Sequence, residues 1–359
     1  MPITPFGPSQ SKIMIVLDGP TVADENNGSL LSGHSGRELA SMLQEAGIHL
    51  STCYVTSLYR DSVQGGDFSA YVALKKKEVT EEKELWRDKY THPSVRLNAQ
   101  RLAREIEMVQ PNVIVCMGQV ALYAMTGCWG VASFRGSILQ CDLPTVLAYK
   151  PKVIPTYNPH RVYQTYEVRP FVVHDLRRVK KESATWEDNP RDYKFIIRPD
   201  YAMAAQLLQS LLQVADAQET PLLLSVDLET RPGLIDCVGI AWTVTHSICI
   251  PLLCSKNREG YWTLEEEASL MALLRALLTH KNVAVIGQNF AYDCQWFYRY
   301  LGYIPNLSHD TMITQHSMFS TMPKSLDVLA SLYAEHYIYW KDEGKDWGTS
   351  TQEEQRWEY

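Results

Sequence analysis

Short, continuously apolar segments alternate with amphipathic segments along the first half of this 359-residue chain. The apolar segments have the length of buried strands, and the amphipathic ones repeat their apolar residues at helical spacing. Strands that alternate with helices predict an α/β fold with a parallel sheet. The predicted strands cover residues 12–17, 51–58 and 112–117, and the predicted helices cover residues 37–46, 96–109 and 120–125.

Residues 183–192 interrupt this pattern. The segment is polar, lacks periodicity and contains Pro190, which is typical of a linker between domains. The sequence therefore predicts two α/β domains, at residues 1–182 and 193–359. In the second domain, strands are predicted at residues 193–197, 222–227, 237–244 and 247–252, and helices at residues 202–215 and 264–278.

The net charge of −7 is distributed unevenly between the two halves. Residues 1–182 carry 21 Lys and Arg against 18 Asp and Glu, whereas residues 183–359 carry 13 against 23. An acidic second half does not exclude nucleic acid as a substrate, because a site for divalent cations is itself built from carboxylates and its cations attract phosphate.

Nothing in the sequence indicates export or a membrane. The longest apolar runs, such as residues 113–117 and 221–226, are far too short to span a bilayer, and the N-terminus lacks the features of a signal peptide. The eight cysteines include no Cys-x-x-Cys pair, so their spacing indicates neither a disulfide framework nor a zinc or iron–sulfur site. We expect a cytoplasmic protein with reduced thiols.

Two carboxylates, Asp227 and Glu229, end the apolar strand predicted at residues 222–227. Side chains two residues apart on a strand point to the same face, so both carboxylates lie on one side. Farther along, an apolar run leads through a short turn into a helix, in which Asn289 and Asp293 are four residues apart and share a face. Asp293 is therefore expected to reach the same site from another element.

Clustered carboxylates of this kind are typical of sites for Mg²⁺ or Mn²⁺. Two such ions about 3.5–4 Å apart activate water and stabilise the leaving oxygen in phosphodiester hydrolysis, so that no Ser or His nucleophile is needed. Asp227, Glu229 and Asp293 supply three acidic ligands. The alternative is a nucleotide-binding or other binding domain that carries these carboxylates without hydrolysis.

The motifs Ser-Val-Asp-Leu-Glu-Thr at residues 225–230 and Ile-Gly-Gln-Asn-Phe-Ala-Tyr-Asp at residues 286–293 resemble, in order and spacing, the 3′-5′ proofreading domain of family A DNA polymerases. The stretches at residues 309–312, 323–330 and 339–345 resemble the phage-type branch of that family. The resemblance therefore covers residues 193–359. It implies a ribonuclease H-like fold with a mixed sheet, two Mg²⁺ or Mn²⁺ ions, and a single-stranded 3′ end of DNA as substrate. Asn289 is expected to support the substrate strand, and we interpret Asp310 and Asp327 as structural.

The third motif of that family is Tyr-x-x-x-Asp, whose Tyr orients the attacking water and whose Asp is the fourth metal ligand. By resemblance, Tyr359 is this tyrosine, and the Asp would fall four residues beyond the last residue of the chain. We therefore expect an exonuclease domain that is incomplete at its C-terminus, with no polymerase domain after it in this chain. A phage origin would place the protein in the cytoplasm of a host cell.

An acidic Gly-Pro loop at residues 18–20 leads into a glycine-rich helix entry at residues 28–36. Together with Tyr-Val-Thr-Ser at residues 54–57 and Ile-Pro-Thr-Tyr-Asn-Pro-His at residues 154–160, this pattern resembles the uracil-DNA glycosylase superfamily, especially its thermostable bacterial branch, over residues 12–181. Such enzymes flip a base into a pocket, read it with an amide side chain and stabilise the departing uracil anion with a donor such as His.

The positions expected to contact substrate depart from that family. Asp18 stands where the branch has a Glu that positions water, and Ser57 stands where it has the Asn that reads the base. Asn158 stands where a His opens the His-Pro motif, while His160 lies two residues later. The four cysteines that bind an iron–sulfur cluster in the bacterial branch are missing, so no such cluster is expected.

Two functions remain open for the first domain. In one, it excises uracil, with Gly19 and Pro20 shaping the loop beside the base. In the other, it is a non-catalytic module that binds or recruits DNA, with Arg135 and the basic run at residues 177–181 in contact with phosphate.

Overall fold

The computed structural model describes residues 2–63, 67–188, 192–231, 233–252 and 260–340. The chain forms two compact units. The first comprises residues 1–190 together with residues 330–339, and the second comprises residues 191–329 and 340–359. Each unit has its own sheet and its own apolar core.

The first unit contains eight strands and seven α-helices among its described residues. The strands are β1 (Ile13–Leu17), β2 (Tyr54–Ser57), β3 (Val72–Ala73), β4 (Glu84–Trp86), β5 (Lys89–Thr91), β6 (Val113–Cys116), β7 (Leu139–Gln140) and β8 (Lys152–Pro155). The helices are α1 (Val22–Asn27), α2 (His34–Glu45), α3 (Pro93–Val109), α4 (Gln119–Thr126), α5 (Val131–Phe134), α6 (Pro159–Gln164) and α7 (Arg169–Glu182).

The main sheet of this unit has the order β2-β1-β6-β8-β7, and its first four strands are parallel. Every residue of β1 is buried, because alternate side chains enter cores on opposite faces of the sheet. Met14 and Val16 pack with α3 and α4, whereas Ile13 and Ile15 pack with α2 and α7. The parallel α/β sheet predicted from the sequence is confirmed. A small antiparallel sheet, β3-β5-β4, was not predicted.

Residues 330–339 belong to the first unit, although the sequence assigned them to the second domain. The backbone N–H of Ile138 donates to the carbonyl of Tyr337 at 2.8 Å, and the backbone N–H of Tyr339 donates to the Ser137 hydroxyl at 3.1 Å. The Arg178 guanidinium donates to the carbonyl of Ala334 at 2.7 Å. Contacts across so large a separation in the chain leave no local signal in the sequence.

A buried ion pair lies beneath this segment. The Arg135 guanidinium donates through Nε to the Asp175 carboxylate at 3.0 Å, forms a second bond to it through Nη2, and donates through Nη1 to the Ser331 hydroxyl at 2.7 Å. Thr156 completes the set by donating its hydroxyl to Asp175 at 2.7 Å. The side chain of Asp175 is fully buried and that of Arg135 is 4% exposed, so each charge depends on the other for its solvation.

The second unit contains six strands and five α-helices among its described residues. The strands are β9 (Lys194–Ile196), β10 (Leu222–Arg231), β11 (Leu234–Ala241), β12 (His246–Pro251), β13 (Val283–Gly287) and β14 (Leu307–Asp310). The helices are α8 (Tyr201–Ala217), α9 (Leu264–Leu278), α10 (Ala291–Trp296), α11 (Thr311–Met318) and α12 (Leu326–Tyr333), of which α12 extends into the residues assigned to the first unit.

The sheet of the second unit has the order β14-β13-β10-β11-β12-β9. Strands β10, β13 and β14 are parallel, whereas β11 is antiparallel to both of its neighbours, so the predicted mixed sheet is confirmed. Strand β10 lies near the centre, and its Leu224, Val226 and Leu228 are buried in the same core as the apolar residues of α8 and α9. No helix in the described part of the chain is long and apolar enough to cross a membrane.

Replacing Arg135 by Ala leaves the buried Asp175 carboxylate without its charged partner. We expect the free energy of unfolding to fall by about 3–5 kcal/mol, as is typical when one member of a buried pair is removed. Arg177→Ala is the matched control, because the Arg177 side chain is 59% exposed and lies 3.7 Å from a surface glutamate; its effect should not exceed about 1 kcal/mol. Urea unfolding of both variants measures the difference, and equal losses would contradict this role for the pair.

Candidate functional site

In the second unit, Asp227 and Glu229 lie on the exposed side of β10. The strand alternates buried Leu224, Val226 and Leu228 with exposed residues, and both carboxylates belong to the exposed set. A β-bulge between Glu229 and Thr230 ends this regular register. The two acids therefore share one face near the end of a central strand.

Asp293 reaches the same strand from α10. Its Oδ1 accepts a hydrogen bond at 3.0 Å from the backbone N–H of Leu228, the residue between the two strand carboxylates. Asp293 is 3% exposed. The structure thus brings together the three acids that the sequence predicted as metal ligands, from two separate elements.

The turn before α10 positions Asp293. It leaves β13 at Gly287, where an added Cβ would lie 2.2 Å from the ring of Phe290, and it passes through Asn289, whose φ of 54° is in the left-handed region that Asn tolerates. Asp310 fixes this turn, because its carboxylate accepts the backbone N–H groups of Asn289 at 3.1 Å and Phe290 at 2.8 Å.

Asp310 also caps the next helix. Its Oδ1 accepts the backbone N–H groups of Met312 at 2.8 Å and Ile313 at 3.3 Å, at the start of α11. With four backbone donors on one carboxylate, Asp310 has the structural role predicted for it. Asp327 lies in the first turn of α12, and its structural role stays a prediction.

The three acids are held in an environment that disfavours their charged forms. Burial raises the pKa of Asp293 to about 7, and the charge of Asp227 contributes to this increase. Loss of solvent around their carboxyl groups also raises the pKa values of Asp227 and Glu229, and the charges of Asp227 and Asp236 raise that of Glu229 further. Carboxylates that repel one another in this way are stabilised by a shared cation.

The chemistry of these donors fits Mg²⁺ or Mn²⁺, which prefer carboxylate oxygens. Among the described residues, however, no group of three or more His, Cys, Asp or Glu side chains already has the arrangement of a metal site. Tyr359, the fourth residue predicted for catalysis, lies outside the described residues.

One contact at this site was missed from the sequence. The hydroxyls of Thr230 and Tyr292 are 2.6 Å apart, which ties the end of β10 to the first turn of α10. Both residues belong to motifs noted above, but neither was assigned a role. Asn289 is exposed, and its contact with a substrate strand stays a prediction.

In the first unit, the predicted substrate residues gather at the carboxyl ends of the parallel strands. Asp18 follows β1, and its carboxylate accepts the backbone N–H groups of Gln119 at 2.9 Å and Ala121 at 2.7 Å, at the start of α4. An added Cβ on Gly118 would lie 2.2 Å from the Asp18 carboxylate, so only Gly permits this approach. Burial raises the pKa of Asp18 to about 6, against the opposing effect of these N–H donors.

Ser57 and Asn158 are both engaged within the fold. Ser57 is 1% exposed and donates its hydroxyl to the carbonyl of Tyr59 at 2.6 Å. Asn158 donates its amide to the carbonyl of Met117 at 3.1 Å, and its Oδ1 accepts the backbone N–H of His160 to cap α6. The His160 side chain is exposed and lies 3.2 Å from Gln164.

Gly19 and Pro20 line the loop after Asp18. An added Cβ on Gly19 would lie 2.1 Å from the ring of Phe68, and Pro20 is buried. The ring of Phe68 stacks on Tyr59 with their centroids 5.2 Å apart. The chain's own aromatic side chains therefore occupy the space next to this loop.

Arg135 does not lie where the sequence placed it. The sequence predicted a phosphate contact from an exposed loop, but Arg135 is buried, and its donors engage Asp175 and Ser331. In the run at residues 177–181, Arg178 is likewise buried and donates to the carbonyls of Gly136 and Ala334. Both arginines support the fold, because each has its hydrogen-bonding capacity directed inward.

These features define an α/β protein with two units, a parallel-sheet unit and a mixed-sheet unit in which acidic residues converge. The chain belongs to the uracil DNA glycosylase superfamily, whose family model matches residues 4–188. The family model described as 3′-5′ exonuclease matches residues 200–359. The order predicted from the sequence motifs, a glycosylase superfamily domain followed by a 3′-5′ exonuclease domain, is confirmed.

Solved structures similar to the chain are exonucleases of low identity. RNase D from Escherichia coli, an exoribonuclease, is 15% identical with a TM-score of 0.31, over 43% of this chain and 36% of that protein. The RNase D:GMP complex from Trypanosoma brucei is 11% identical with a TM-score of 0.30, over 44% of each chain. The EXD2 exonuclease domain soaked in Mg and GMP is 13% identical with a TM-score of 0.24, over 36% of this chain and 63% of that domain.

The chain thus spans less than half the length of either RNase D. No curated protein matches the chain.

The pKa of Asp18 gives the first unit a characteristic pH dependence. The folded protein holds this proton more tightly than the unfolded chain, because the pKa is about 6 in the fold and 3.8 ordinarily. The free energy of unfolding should therefore fall as the pH rises from about 4 to about 6. In Asp18→Asn this fall should be smaller than in the wild type, because the raised pKa of Asp293 still contributes to it, whereas Asp61→Asn, at an exposed position, should behave as wild type. Urea unfolding across this pH range checks both, and an unchanged profile in Asp18→Asn would refute the assignment.

Proposed function

We propose that the second unit is a metal-dependent 3′-5′ DNA exonuclease that serves as the proofreading module of a DNA polymerase. The observation that carries the proposal is the placement of Asp227, Glu229 and Asp293, which approach one edge of the unit from β10 and α10. The match of residues 200–359 to a 3′-5′ exonuclease family supports the direction of degradation. DNA as substrate and the polymerase context rest on the resemblance of the motifs.

Asp227, Glu229 and Asp293 would hold two Mg²⁺ or Mn²⁺ ions, which when bound supply an activated water and stabilise the leaving oxygen. The protein's part is to orient these ligands. Strand β10 would present Asp227 and Glu229 on one face, and the hydrogen bond that Asp293 accepts from the backbone N–H of Leu228 would hold Asp293 next to this strand. Asn289 would support the terminal nucleotide from the turn before α10, and Tyr359 would orient the attacking water.

For the first unit, we propose a non-catalytic module that binds DNA near the exonuclease, in a protein of the cytoplasm or of a phage-infected host cell. Its membership of the glycosylase superfamily supports contact with DNA. Uracil excision is disfavoured, because Ser57 has no amide and is buried, and because Asn158 uses both ends of its amide within the fold.

The test of the exonuclease uses a 5′-labelled single strand of DNA with Mg²⁺ or Mn²⁺. The wild-type chain should produce a ladder of products that shortens from the 3′ end, and EDTA should abolish it. Asp227→Ala should lower the rate at least about a hundredfold, since even changes outside the ligand set of metal enzymes cost up to about this much.

Glu219→Ala is the control, because Glu219 is an exposed acid in the loop between α8 and β10. It should cleave at the wild-type rate. If the wild type leaves the strand intact with either metal, or if cleavage survives in Asp227→Ala, the proposed activity is wrong.

The same strand with one internal uracil tests the first unit. After incubation in EDTA and treatment with alkali, we expect no break at the uracil, because the side chains that would read the base are committed to the fold. A single alkali-revealed break that persists in Asp227→Ala would establish uracil excision instead and overturn the non-catalytic assignment.

A further inference from the structure

An aromatic stripe leads away from the acidic site of the second unit. Tyr292, Trp296 and Tyr300 are spaced four residues apart along α10 and the π-helical turn Phe297–Leu301 that continues it. The ring centroids of Tyr292 and Trp296 are 6.0 Å apart, and those of Trp296 and Tyr300 are 5.1 Å apart with nearly parallel planes. We call these three residues the aromatic stripe.

The stripe is open to solvent although it is apolar. Tyr292 is 46% exposed and Tyr300 is 39% exposed, while Trp296 is half-buried and packs against the core of the unit. A tryptophan anchored in the core and flanked by two tyrosines presents rigid aromatic surface at little cost in side-chain entropy. The π-helical turn beneath it is a local irregularity of a kind often found at functional sites.

One end of the stripe touches the acidic site. The Tyr292 hydroxyl is 2.6 Å from the hydroxyl of Thr230, which directly follows Glu229 on β10. The other end carries positive charge, because the exposed guanidinium of Arg299 lies 5.6 Å from the ring centroid of Tyr300. Aromatic rings followed by a cation form the combination with which proteins bind single-stranded nucleic acid without reading its sequence.

We propose that the aromatic stripe binds the nucleotides that precede the 3′ end of a single-stranded polynucleotide. This inference rests on the proposed exonuclease function, which places the 3′-terminal nucleotide at Asp227, Glu229 and Asp293. The upstream bases then stack on Tyr292 and Trp296, and Arg299 contacts the backbone phosphate beyond them. Stacking uses only the faces of the bases, so DNA and RNA bind the stripe alike.

The experiment measures binding without cleavage, in EDTA and in the Asp227→Ala background, by the fluorescence anisotropy of a 5′-labelled single strand. Two DNA strands are compared, one intact and one that lacks the bases just upstream of its 3′-terminal nucleotide. Trp296→Leu keeps an apolar side chain without an aromatic face. It should weaken binding of the intact strand at least about fivefold and leave binding of the abasic strand unchanged.

Tyr298→Leu is the matched control, since Tyr298 is 67% exposed on the same turn but outside the stripe. It should bind both strands as the parent protein does. Equal losses in Trp296→Leu on the two strands would overturn the stacking proposal, because they would mean that Trp296 acts through the fold. A loss in Tyr298→Leu as large as that in Trp296→Leu would overturn it too.

Arg299→Gln supplies a second, independent readout on a surface residue. The slope of the logarithm of the binding constant against that of the salt concentration should decrease by about 0.7, the value for one phosphate contact on a single strand. An unchanged slope would remove Arg299 from the proposed surface. An RNA strand should show the same dependence on Trp296 as DNA, and dependence with only one of them would contradict stacking on the bases.

Failure here is distinguishable from failure of the exonuclease. Suppose that the wild-type chain degrades DNA with metal but Trp296→Leu binds intact and abasic strands as the parent protein does. The exonuclease proposal then holds, and the proposal for the aromatic stripe is wrong. If the chain binds single strands through the aromatic stripe but cleaves with neither Mg²⁺ nor Mn²⁺, the binding proposal holds and the exonuclease proposal is wrong.

Discussion

The carboxylate of Asp310 holds the turn on which the acidic site of the second unit depends. Four backbone N–H groups, from Asn289, Phe290, Met312 and Ile313, donate to its two oxygens. Without these bonds the left-handed conformation at Asn289 would have little to hold it, and α10 would not start at the point that directs Asp293 toward β10. A structural acid thus supplies the geometry in which Asp293 approaches β10.

In the first unit, too, carboxylates accept backbone N–H groups and so fix loops and helix starts. Asp18 accepts the N–H groups that open α4, and Asp24 accepts the backbone N–H groups of Thr21 and Ser32 to fix the loop between them. Unpaired N–H groups at helix and loop starts attract negative charge, so a carboxylate satisfies them well. In this unit, however, the Asp18 carboxylate accepts hydrogen bonds within the fold, and little of its hydrogen-bonding capacity remains for a substrate.

Much of this architecture was predictable because it follows from local periodicity. Helix α9 has the predicted bounds, 264–278, since its apolar spacing and its Thr263 cap are both readable in the sequence. Strand β10 extends to Arg231, four residues beyond the predicted end at Asp227, because the polar residues that follow the apolar run stay in the strand. The strands β3, β4 and β5 escaped prediction, since two or three residues are too few to show a period.

The acidic residues of the candidate site were predictable because strand and helix periods place them, whereas the role of Arg135 was not. Its partners lie 40 and 196 residues away, and only the folded chain shows that they meet. A basic residue in a Gly-flanked loop has the same local pattern whether it faces phosphate or a buried carboxylate. Long-range pairing therefore decides what a charged residue does, and the sequence around it does not.

The two units differ in how they treat charge, and this difference has a functional meaning. In the first, the buried acid Asp175 has a positive partner, Arg135, within hydrogen-bonding distance, so its charge is compensated inside the fold. In the second, desolvation raises the pKa values of Asp227, Glu229 and Asp293, and the charge of Asp227 raises those of Glu229 and Asp293 further. Mutually repelling carboxylates are common at sites that bind divalent cations, and this agrees with the proposed exonuclease function.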